Sequence, residues 1–109
     1  MSDLESRLEA LRQEYAAGLP AAIAEASEAF GRVPSDGQEA IEAVWQVAHR
    51  TYGTAGSYGL DEVAETARAL EALLTPHRND DALPTEVADS ASEALETLAA
   101  QASAAAART

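Results

Sequence analysis

Cysteine and lysine are both absent from this chain of 109 residues. Without cysteine there are no disulfides, no thiolate metal ligands and no thiol nucleophile. Without lysine, all positive charge rests on seven arginines, against 19 acidic side chains, for a formal charge of -12. A surface so acidic is repelled by nucleic-acid phosphates and by anionic membrane surfaces alike, so neither is an expected partner. No apolar run approaches the ~20 residues of a membrane span. The opening MSDLESRLEA also lacks the basic start and apolar stretch of a secretory signal. What remains is the expectation of a soluble, cytoplasmic, single-domain protein spanning residues 1–109.

Large aliphatic side chains are scarce too. Leu, Ile, Val and Phe together make 19 of the 109 residues. A share below ~20% with high net charge is a warning of disorder. Against it stand 27 alanines, the strongest helix formers, and the regular placement of the few large residues. Ser2 and Glu5 form an S-x-x-E capping box, followed at helical spacing by Leu4, Leu8, Leu11 and Tyr15. Gly18 predicts a break and Pro20 the first turn of a new helix carrying Leu19, Ile23, Ala26 and Phe30. Ser35 and Gln38 suggest a second capping box, opening a helix with Ile41, Val44, Ala48, Thr51 and Ala55 on one face. A fourth pattern runs through Leu60, Val63, Ala67, Leu70 and Leu74 until Thr75-Pro76 stops it. After a polar segment, Pro84 starts a last helix through Val87, Ala91, Leu95, Leu98 and Ala102, fraying into the alanine-rich tail. No segment alternates with period two. The expectation is an all-α, antiparallel four-helix bundle with an additional N-terminal helix.

Two histidines are present. His77 falls in the polar segment and reads as a surface residue. His49 lies about 150° from the centre of its helix's apolar stripe, an imidazole held out to solvent in mid-helix. Gly53 and Gly56 follow on its own face, where each costs up to ~1 kcal/mol relative to alanine. They either end the helix early or permit close packing, or they clear a surface on which another protein can bring a reactive group to the ring. No cluster of histidines or EF-hand-like spacing of carboxylates offers a metal site, and no cofactor is implied.

The run His49-Arg50-Thr51-Tyr52-Gly53-Thr54-Ala55-Gly56-Ser57-Tyr58-Gly59-Leu60, followed by Ala69-Leu70-Glu71, resembles the signature of histidine-containing phosphotransfer (HPt) domains. The likeness is carried by Val44 to Leu74. It implies a four-helix bundle, sometimes with an extra N-terminal helix. It also implies a phosphorelay intermediate in which His49 accepts a phosphoryl group from a receiver-domain aspartate or a histidine kinase and passes it to a response regulator. Such a protein is a stoichiometric carrier rather than an enzyme, and any Mg²⁺ comes from its partner. The family often places lysine three residues after the histidine; here Tyr52 stands there, so the expectation is a less well screened phosphohistidine or a cation supplied by the partner, since Arg50, nearest in sequence, points about 100° away around the helix.

Gln46, one turn before His49, is expected to accept a hydrogen bond from Nδ1–H and leave Nε2 as the attacking atom. Trp45 and Tyr52 read as aromatics at a helix seam. The alternative, second to it, is that they are partner-facing anchors, with Glu42 and Arg50 beside Trp45 as further partner-binding residues. The alternative function is a helical module that binds receivers or kinases without accepting phosphate, supported by the missing lysine. A hydrolase using His49 as base ranks far behind. The chain suits either a stand-alone carrier or the first domain of a chemotaxis-type kinase.

Overall fold

The computed structural model describes residues 2–108; Met1 and Thr109, the ends of the expected domain, lie outside them. Its helices are α1 (Asp3–Gly31), α2 (Val33–Asp36), α3 (Gln38–Ser57), α4 (Asp61–Leu74) and α5 (Thr85–Ala107), with a 3₁₀ turn at Thr75–His77 between the last two. The described residues include no strand. The four long helices form a ring in which α1 packs on α3 and α5, and α4 packs on the same two. Short connections reverse the chain at each step, giving the expected antiparallel, all-α bundle.

Ser2 caps α1, its Oγ accepting from the Glu5 amide at 3.2 Å as expected. The predicted break at Gly18 is absent. Pro20 sits inside a single helix of 29 residues, although proline removes one backbone hydrogen bond and costs about 3 kcal/mol in a helix interior. Burial overrides that local preference, because Ala16 and Leu19 before Pro20, and Ile23 and Ala26 after it, all face the core. The additional N-terminal helix is therefore the free end of α1. Its Leu4, Leu8 and Leu11 are exposed, outside the core their spacing suggested.

The second capping box also fails to form. Ser35 Oγ donates to the Arg32 carbonyl within α2, and α3 starts after Gly37 instead. Gly37 has φ 53°, and a Cβ there would lie 3.0 Å from the Asp81 carbonyl oxygen. Only glycine fits this left-handed, closely approached corner. From there Ile41, Val44, Ala48, Thr51 and Ala55 all turn inward, as their spacing predicted. On α4 the inward residues are Val63, Ala67, Leu70 and Leu74, and α5 stays helical through its alanine tail because Ala102 and Ala105 are buried.

Alanine supplies half of the buried apolar positions among the described residues. Small side chains let helices approach closely, so a few large ones (Leu19, Ile23, Ile41, Leu70, Leu74, Leu98) suffice to close the core. That resolves the compositional warning of disorder.

Candidate functional site

His49 projects from the middle of α3 with its side chain 55% exposed, as the periodicity required. Its Nδ1 lies 3.0 Å from Oε1 of Glu71 on α4. A carboxylate can only accept, so Nδ1 carries the proton and a neutral ring keeps its lone pair on Nε2. Glu71, not Gln46, is the residue that sets the tautomer. Gln46 turns away, donating from Nε2 to Oε2 of Glu42 at 2.8 Å. A side chain one turn earlier competes with a stronger acceptor there, and the facing helix provides the carboxylate. The second Glu71 oxygen is buried without a hydrogen-bond partner, so the charge-assisted contact to His49 is the one that anchors this side chain.

Trp45 forms the floor beneath the imidazole. Its indole is stacked on the His49 ring, with centroids 4.7 Å apart and planes 10° from parallel. It is only 9% exposed, and Nε1–H donates to Thr75 Oγ1 at 2.9 Å. The Thr75 hydroxyl in turn donates to the Glu71 carbonyl at 2.7 Å. Trp45 is thus a seam residue, and its burial leaves little surface for the anchor role considered above.

The floor is clamped by a residue that the sequence did not single out. Arg78, just past the 3₁₀ turn, lays its guanidinium 3.5 Å from the Trp45 ring centroid. It also grips Glu42 with two parallel bonds, Nε to Oε1 at 2.9 Å and Nη2 to Oε2 at 2.8 Å. The Arg78 hydrogen bonds, helped by Gln46, pull the Glu42 carboxyl from 4.5 down to about 2, and the same pairing raises Arg78 above its ordinary value. Glu42 is therefore engaged by Arg78, with about a third of its side chain left exposed. Arg50 points elsewhere, into a groove between α1 and α3 bordered by Glu14 and Thr54.

The space around the imidazole is open. Helix α3 continues through both glycines to Ser57, so they do not end it early. A Cβ on Gly53 would meet nothing within 4 Å, and one on Gly56 would only touch Ala64 Cβ at 3.8 Å. Gly53 therefore leaves bare surface one turn beyond His49, while Gly56 lies against α4. Tyr52 is 41% exposed and shares a shallow groove with Glu71 and Arg68 of α4. Arg68 makes a loose 4.0 Å contact to Glu65, with both side chains largely in solvent. His77, expected at the surface, is largely covered instead, its Nδ1 2.9 Å from Asp80.

Among the described residues no group of three or more His, Cys, Asp or Glu is placed to hold a metal ion. None of their helices is long and apolar enough to cross a membrane. The family model described as Hpt domain matches residues 1–105. No curated protein and no solved structure matches the chain.

Proposed function

The chain belongs to the Hpt domain family, the phosphotransfer modules of two-component signalling, and from that premise we propose that His49 is its phosphoryl-accepting residue. One observation carries the reading. Nδ1 is engaged by Glu71, which leaves Nε2 as a nucleophile on an exposed ring beside the bare backbone of Gly53.

In the transfer, the Nε2 lone pair forms the N–P bond as the P–O bond to a receiver aspartate, or to the leaving diphosphate of a kinase's nucleotide, breaks. The ring keeps its Nδ1 proton and becomes a phosphoimidazolium, whose positive charge the Glu71 carboxylate stabilises. The reverse step returns the phosphoryl group to a response regulator. Trp45 fixes the ring plane, which matters because phosphoryl transfer depends mainly on in-line positioning and charge neutralisation. Tyr52 offers a hydroxyl where the family often has a cation, and Arg68, lining the same groove, supplies the missing charge to the phosphoryl oxygens. The chain acts as a stoichiometric carrier in the cytoplasm, with a receiver domain and a sensor kinase as partners and any Mg²⁺ in the partner's acidic pocket.

The test is incubation with phosphorylated receiver domains and with kinases plus ATP, followed by assay for acid-labile, alkali-stable phosphate. Label is expected on the parent and not on His49→Gln. Stable binding of those partners without label on the parent would instead favour the non-phosphorylated interaction module, for which Tyr52 is the supporting observation.

A further inference from the structure

The first turns of α1 carry an apolar stripe that the bundle does not use. Leu4, Leu8 and Leu11 are 64%, 52% and 47% exposed. Tyr15 continues the stripe and rests on Tyr58, ring centroids 5.3 Å apart, where α3 has just ended. Steps of four, three and four residues are the heptad spacing of a two-helix seam. At 100° per residue the stripe is rotated about 70° from the Ala16, Leu19, Ile23 and Ala26 line that faces the core. Leu4, Leu8 and Leu11 therefore lie on a face of their own, which meets the bundle's core at the half-buried Tyr15.

We propose that this stripe pairs antiparallel with the same stripe of a second copy of the chain. Leu8 then packs on Leu11 of the partner subunit, and Leu4 on Tyr15 of the partner subunit, each contact occurring twice about a two-fold axis. The flanking charges choose both the occupant and the direction. With Leu8 and Tyr15 at the a positions, Glu5 and Arg12 fall at e, and Arg7 and Glu14 at g. Parallel pairing sets each g residue against the e residue of the next heptad, which would face Arg7 with Arg12 of the partner subunit. Antiparallel pairing sets g against g and e against e. Arg7 then meets Glu14 of the partner subunit, and Glu5 meets Arg12 of the partner subunit, so all four contacts are between opposite charges. The existing Arg12–Glu9 contact, exposed at both ends, yields at little cost.

Three leucines a side is a small patch, short of the ~1,200 Å² of a standard interface, so association depends on concentration. His49 lies nine residues before Tyr58, about 14 Å back along α3. Both imidazoles stay open in the pair, and the inference stands independently of the phosphocarrier reading.

The test is sedimentation equilibrium of the full chain from about 1 µM to about 1 mM. The mass should climb from 11.4 kDa towards twice that value. Arg7→Glu and Glu14→Arg should each weaken association by about tenfold, since each turns two attractions into two repulsions. Combining them should restore it. Leu8→Glu should abolish association while leaving helicity and His49 labelling unchanged. A monomer throughout that range, a double reversal no tighter than the single ones, or association that survives Leu8→Glu would each overturn the proposal.

Discussion

Nδ1 of His49 on α3 and Oε1 of Glu71 on α4 stand 3.0 Å apart across the interface of two consecutive helices. The contact joins an exposed imidazole to a carboxylate whose other oxygen is buried, so the ring's orientation is tied to the packing of the bundle itself.

Removing that tie gives the first prediction. Glu71→Ala should slow phosphoryl acceptance by up to about 10²-fold, the order of effect expected when a reacting group loses its orientation. Glu71→Gln, which can still accept from Nδ1–H but lacks charge, should fall between the two. Ring ¹⁵N shifts should show Nδ1–H as the dominant neutral tautomer in the parent and a mixed population in Glu71→Ala. An unchanged tautomer together with an unchanged rate would remove Glu71 from the site.

Gly53 separates stability from transfer. A Cβ at this position meets nothing, so Gly53→Ala should raise stability by up to about 1 kcal/mol in urea titration. The same methyl group stands one turn from His49, on the face that a receiver approaches under the proposed function, and should slow transfer about tenfold or more. A variant that is both more stable and equally fast would mean the bare turn has no role in access.

The Glu42–Arg78 clamp predicts a response to acid. The Glu42 carboxyl is lowered from 4.5 to about 2 in the folded chain by Arg78 and Gln46. A group depressed on folding contributes stability above its unfolded value and loses it as pH falls towards the folded one. Glu42→Gln should therefore cost at most about 1 kcal/mol at pH 7, the upper range for an exposed ion pair. The gap from the parent should close between about pH 5 and pH 2. A gap independent of pH would mean the loss is one of packing alone.

Much of this was legible in the residues, and the failures share a cause. Periodicity placed Ile41, Val44, Ala48, Thr51 and Ala55 inward, and by subtraction placed His49 outward. Readings that relied on a local preference were overruled from a distance. The Gly18–Pro20 break lost to core contacts on both sides, and the Ser35–Gln38 box lost to a corner set by Gly37 against Asp81. The site divides the same way. Gln46 stands one turn from His49, yet the bond goes to Glu71, 22 residues on. Arg78 lay in a segment that reads as a polar loop, and only folding shows that it closes on Glu42, 36 residues back. The Leu70-Glu71 pair lies within the HPt-like motif, but nothing in helical spacing tells which glutamate of one helix meets which histidine of another.

That separation also has a bearing on how the fold is built and inherited. The contacts that shape the imidazole's surroundings link residues 22, 30 and 36 apart, all between Glu42 and Arg78. Loops of that length close at modest entropic cost. The histidine's neighbours therefore come from one uninterrupted stretch of translation, a helical hairpin and its trailing turn. Among the described residues, the outer helices enclose that hairpin without lending it a hydrogen bond at the ring. Drift in α1 or α5 that preserves their buried faces can thus reshape the rest of the molecule while the imidazole's surroundings pass down unaltered.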